Sequence, residues 1–232
     1  MCSFFSKLPA EVDWWDRTRA GYITITITKR AHPQFTDYYL LDTSGGGRAA
    51  QSAMPYRDLT YAQYSTEMTR LAHSRPDLVK LSTTQELYGL PTVGDCGNAD
   101  GSMSPCKNFV LEITNHSSRA ADPERPEVFI SGALHGDERI GPATALALSR
   151  WLVERYDIDP WARRLVNHRT LLVMPMTNAL GVEKRRRDEN GIDPNRDFPY
   201  DQSPTACMQT VAARSVNELY RARLLQVLSI HT

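Results

Sequence analysis

His135 and Glu138 stand three residues apart in the run His-Gly-Asp-Glu. An imidazole and a carboxylate at that spacing can hold one metal ion, and zinc takes both donor types. The run follows a predicted strand over residues 127–132, where Val128, Phe129 and Ile130 form a short apolar stretch and Ser131, Gly132 and Ala133 are small enough for a sharp exit. Open α/β sheets bind ligands just beyond the carboxyl ends of their strands, so the pair sits where such a fold places chemistry. With six His in the chain, a pair of this kind is expected by chance roughly a quarter of the time. A capping Glu near a surface His is therefore the rival reading, and more residues are needed to displace it.

Three further features join the pair. His231 ends an apolar run over residues 224–230, so a second imidazole is expected at the same sheet edge and would be a third zinc ligand. A polar loop over residues 178–202 carries Arg185, Arg186 and Arg187, then Gly191-Ile192-Asp193-Pro194-Asn195-Arg196-Asp197-Phe198-Pro199. Guanidinium groups bind carboxylates bidentately and stabilise developing negative charge, which suits a substrate with an anionic end. Taken alone, three consecutive arginines are a solvated loop and a terminal His is a packed one.

In this order the features resemble the zinc carboxypeptidases of the M14 family: H-x-x-E, then an arginine, then an Asn-Arg pair inside G-x-D-x-N-R, then a His at a strand end. The resemblance covers about residues 56–232, and Asn-Arg-Asp-Phe-Pro leans toward the carboxypeptidase N/E branch. It implies one zinc per chain held by His135, Glu138 and His231. It also implies an oxyanion role for Arg186, with Arg185 and Arg187 as crowded alternatives, and a hold on the substrate's C-terminal carboxylate by Asn195 and Arg196. Asp193 matches the carboxylate that orients the first zinc His. The implied activity is removal of C-terminal residues from peptides or proteins. Two rivals are an aspartoacylase or succinylglutamate desuccinylase-like hydrolase of N-acyl amino acids and a non-catalytic truncated remnant. In the family the general-base Glu, a substrate-covering Tyr and the side-chain pocket lie further along than residue 232. The C-terminal third is thus expected to be missing, and the chain as it stands to be poorly stable and inactive. Glu183 and Glu189 are the nearby carboxylates, and both are expected to pair with Arg.

The elements that must position these residues are legible in outline. Residues 1–55, with an alternating Tyr22-Ile23-Thr24-Ile25 stretch and a Gly45-Gly46-Gly47 linker, read as an N-terminal appendage; residues 56–232 read as a partial zinc carboxypeptidase catalytic domain. Thr60 and Gln63 make a capping box for a helix whose stripe is Tyr61, Tyr64, Met68, Leu71 and Ala72. Strands are predicted at residues 78–83, 109–114, 127–132, 171–174 and 224–230. Helices are predicted from Gly141-Pro142, from Pro160, and from a Ser203-Pro204 cap carrying Met208, Ala212, Val216 and Leu219. Strands alternating with helices after residue 126 imply an α/β fold, with a mixed, mainly parallel sheet flanked by helices.

Composition limits the partners. Lys plus Arg and Asp plus Glu number 27 each, so no net field favours nucleic acid or a membrane. A peptide or protein C-terminus is the expected partner. Cys96 and Cys106 bracket a turn-rich loop and form a disulfide if the chain resides in an oxidising compartment. That pair and the family point to secretion, although residues 1–10 lack the apolar core of a signal peptide. Asn115-His116-Ser117 is a glycosylation sequon that matters only in a secreted protein.

Overall fold

A computed structural model describes residues 58–122, 124–198 and 208–222, and the backbone of 225–229. The expected appendage, His231 and the Ser203-Pro204 cap lie outside these residues. Helix α1 (Tyr61–Ser74) opens with the expected capping box: Thr60 accepts from the Gln63 N–H, and the Gln63 side chain returns to the Thr60 N–H. Its buried stripe is Tyr61, Tyr64, Met68 and Leu71. Strand β1 (Val79–Thr83), the short helix α2 (Thr84–Tyr88), a small hairpin of β2 (Asp95–Gly97) and β3 (Met103–Pro105), and strand β4 (Phe109–Ile113) follow.

A single-turn helix α3 (His116–Arg119) leads to β5 (Glu127–Ser131), α4 (Ile140–Glu154), α5 (Pro160–His168) and β6 (Thr170–Met174). Asn115 caps α3, and its amide nitrogen donates to Tyr156 and Asn167, so the sequon asparagine is engaged inside the fold. Helix α6 (Ala179–Lys184), a 3-10 turn at Pro194–Arg196, helix α7 (Val211–Ala222) and β7 (Leu225–Ser229) complete the described chain.

The main sheet runs β1-β4-β6-β5-β7. Its parallel pairs are β5 with β6 and β5 with β7, the strands expected from the alternation after residue 126; β1, β4 and β6 pair antiparallel. The sheet is thus mixed, with its parallel half carrying the His135 strand. Every residue of β6 is buried. Leu171 and Val173 face one core together with Met68, Leu71, Ala145 and Leu152, while Leu172 and Met174 face another with Phe129 and Leu219. Alternation across the pleat explains why this strand reads as a continuous apolar run: helices cover both faces.

The short helices α2 and α3 are not expected from the sequence, and two helices beside the 185–197 loop also differ from expectation. Helix α6 lies inside what reads as a polar loop. Helix α7 starts later than expected: Thr210 caps it by accepting from the Ala213 N–H, and Met208 precedes it with φ 52°.

Candidate metal and carboxylate site

The turn after β5 is held by backbone contacts before any side chain acts. Gly132 donates to Met174 O, Thr177 and Asn178 donate back to Gly132 O and Ala133 O, and Ala133 takes φ 47°. Gly136 then crosses Gly181 of α6 so closely that a Cβ at 136 would sit 2.0 Å from the Gly181 carbonyl carbon. No other residue type fits that crossing. Asn178 caps α6 through the Gly181 N–H, so α6 is a platform fixed from both sides.

On this platform His135 is buried at 2% exposure. Its Nδ1 lies 2.8 Å from Glu138 Oε1 and its Nε2 2.9 Å from Asp193 Oδ1. Burial pulls the imidazole pKa down, but the hydrogen bonds to Glu138 and Asp193 outweigh it and the net shift is upward. Asp193 feels burial pushing its pKa up, against the Asn195 N–H, His135 and Arg187, which together bring it below the usual value. Asp193 is the orienting group of the cluster: Oδ1 takes His135 and the Asn195 N–H, and Oδ2 takes Arg187 Nε at 3.0 Å.

The donor set fits zinc. His135 Nδ1 and Glu138 Oε1 lie side by side, and an imidazole nitrogen with a carboxylate oxygen is a donor pair that zinc takes. His135 and Glu138 would supply two of its ligands. Strand β7 ends at Ser229 beside Ser131 of β5, so both strands leave the sheet at one edge.

The three arginines point to different partners. Arg186, expected to meet the oxyanion, is two-thirds exposed and pairs with Asp188 at 3.4 Å. Arg187 is the guanidinium at the cluster, with Nη1 3.8 Å from Glu138 Oε1. Arg185 takes φ 52° at the end of α6 and reaches Asp58. Asn195 and Arg196 share the 3-10 turn that Asp193 caps, and Arg196 is exposed.

Glu183 and Glu189 do not pair with Arg among the described residues. Glu183 lies beside Gly97 of the hairpin. Glu189 is 3% exposed and accepts from the Val211 and Ala212 N–H groups of α7. Sequence reading also missed Arg139, which joins Gly136 O, Val182 O and Asp58 and so ties the His135 turn to α6. An Arg directly after Glu138 was its only signal.

The peptidase M14 model, described as zinc carboxypeptidase, matches residues 107–223, half of the chain. The chain belongs to the zinc carboxypeptidase family. Carboxypeptidase SOL1 of Arabidopsis thaliana is 37% identical over 93 residues, covering 39% of this chain and 19% of that protein. The carboxypeptidase N catalytic chain of Rattus norvegicus is 27% identical over 156 residues, 61% of this chain and 34% of that one. The match to this zinc carboxypeptidase chain thus spans about a fifth and about a third of these two relatives' lengths. Among solved structures, thrombin activatable fibrinolysis inhibitor shares the fold with TM-score 0.57 at 15% identity, over 76% of this chain and 47% of that one. A metallo-carboxypeptidase from Burkholderia cenocepacia does so with TM-score 0.55 at 17% identity, over 73% and 40%. The family match favours the carboxypeptidase reading over the N-acyl amino acid hydrolase.

Proposed function

We propose that the chain is part of the catalytic unit of a metallocarboxypeptidase that removes C-terminal residues from peptides or proteins, with one zinc held by His135, Glu138 and His231. The observation that supports this reading is the Asp193–His135–Glu138 line, in which a carboxylate meets the buried imidazole at each ring nitrogen, at 2.9 Å and 2.8 Å. When bound, zinc supplies a Lewis acid that polarises a carbonyl and acidifies water.

The chain's own residues do the rest. Asp193 holds the Nε2 proton and keeps Nδ1 basic. Asn195 and Arg196 offer an amide and a guanidinium fork to a terminal carboxylate, a group that Lys would match less well. Arg187, poised beside Glu138, is the better-placed guanidinium to meet charge on the carbonyl oxygen, and Arg186 lies one residue away on the exposed side. The buried Cys96–Cys106 disulfide supports residence in an oxidising compartment, consistent with secretion.

Metal analysis and paired peptides test the reading. Purified protein is expected to hold stoichiometric zinc that His135→Ala loses. Blocking a peptide's C-terminus as the amide is expected to abolish recognition, whereas acetylating its N-terminus leaves recognition intact. Equal handling of both peptides would point to an endopeptidase, and unchanged zinc in the variant would remove the metal assignment.

A further inference from the structure

We infer that Glu189 and Asp197 are positioning residues that hold the Asn195–Arg196 pair in register with His135, by anchoring their loop at two points to the N-terminus of α7. The inference rests on the assignment of that pair to the substrate carboxylate. Glu189 accepts from Val211 N at 2.5 Å and Ala212 N at 3.1 Å. Asp197 Oδ2 accepts from the Thr210 N–H at 2.6 Å and its hydroxyl at 2.8 Å. The anchors lie on either side of Asp193, Asn195 and Arg196, and a backbone bridge between Glu189 and Ile192 closes the turn on one side.

A helix N-terminus welcomes carboxylates because its first N–H groups lack partners within the helix. Yet α7 already has a local cap in Thr210, and water would serve an exposed helix end. Here two carboxylates are buried instead, at 3% and 1% exposure. Burial raises the Glu189 pKa, opposed by the two N–H bonds and assisted by Asp197. Asp197 Oδ1 is buried with no hydrogen-bond partner among the described residues. Burying charge in this way is costly, and what it yields is a rigid attachment. Helix α7 is itself fixed to the sheet by Leu219 against Phe129, Leu172 and Met174, while its Ser215 hydroxyl bonds Thr84 of α2, off this path. A continuous packed path therefore leads from β5 through α7 to the loop and back to His135, and small displacements of a binding group are enough to lose recognition.

The test compares wild type, Glu189→Gln, Asp197→Asn and Ser215→Ala as zinc-loaded full chains. Ser215→Ala weakens α7 packing without touching the loop and serves as the structural control. The probes are one N-acetylated peptide with a free C-terminal carboxylate and its C-terminal amide twin, with affinities read by titration calorimetry. Hydrogen exchange is followed across residues 188–198 and in β5 and β6. The two carboxylate variants are expected to lose roughly tenfold of the preference for the free acid and to exchange faster in the loop, with β5 and β6 unchanged. Ser215→Ala, at a similar loss of melting temperature, is expected to keep both the preference and loop protection. Variants that retain both overturn the inference, as does a Ser215→Ala protein that loses them equally. A wild type indifferent to amidation overturns the carboxylate assignment instead, while loop exchange still decides whether the anchors hold.

Discussion

Asp193 serves His135, the Asn195 N–H and Arg187 with two oxygens, so its loss should be felt at the metal before it is felt in the fold. Asp193→Ala is expected to lower zinc affinity roughly 10- to 100-fold, as read by competition with a chromogenic chelator; an unchanged affinity would separate Asp193 from the site. Gly136→Ala drives a methyl into the Gly181 backbone and is expected to cost about 3 kcal/mol in denaturant unfolding. Glu189 gives a pH signature with a definite sign. Its folded pKa lies above the ordinary 4.5, so between the two values the native state binds more protons than the unfolded chain. Its contribution to stability is greatest below 4.5, declines as pH rises through the folded pKa, and is flat above it. Subtracting the Glu189→Gln stability curve from that of wild type should reveal this slope, and parallel curves would refute it. The His135, Glu138 and Asp193 grouping is legible in the sequence because each lies at a fixed offset in a short run. Which arginine turns inward is not, because Arg185 adopts a left-handed backbone that redirects the residues after it, and no side-chain pattern marks a non-glycine residue for that conformation.

At the scale of elements, the five strands of the main sheet are read from their apolar runs to within a residue or two, the β2–β3 hairpin is not, and Thr60 with Gln63 fixes the start of α1. Helix α6 escapes such reading. It has only six residues, contains Gly181, a poor helix former, and ends in Lys184 and Arg185 amid polar sequence. Only the packing shows why glycine belongs there: a Cβ at 181 would meet the capping Asn178 side chain at 2.5 Å and the Arg186 carbonyl oxygen at 2.8 Å. The start of α7 is misread because Ser203-Pro204 carries a cap signature, whereas the cap in use is Thr210. The hairpin is held by Cys96–Cys106, a sequence separation of 10, and its Cys96 Sγ contacts Ala179 O at the start of α6. Removing the disulfide by Cys96→Ala with Cys106→Ala is expected to cost about 3 kcal/mol in unfolding experiments, from loop-closure entropy. A loss below about 1 kcal/mol would show that packing alone holds the hairpin.

For the whole molecule, zinc bound by His135, Glu138 and His231 would link the ends of β5 and β7, so metal and fold stability should be coupled. At a free concentration one hundred times the dissociation constant, zinc should add about 2.7 kcal/mol, raising the melting temperature by roughly 5–10 °C. Calorimetry with and without chelator checks this, and coincident melts would deny the link. The strand order has a further consequence on the ribosome. Strand β5 is paired on both sides in the finished sheet, yet its partner on one side is the last described strand. The stretch from Ser131 to Leu225 takes roughly 5–20 s to synthesise, and throughout it β5 presents an unpaired backbone edge. Nascent chains arrested in this interval should therefore be the form most dependent on chaperones, with the His135 end of the sheet among the last of the described residues to close.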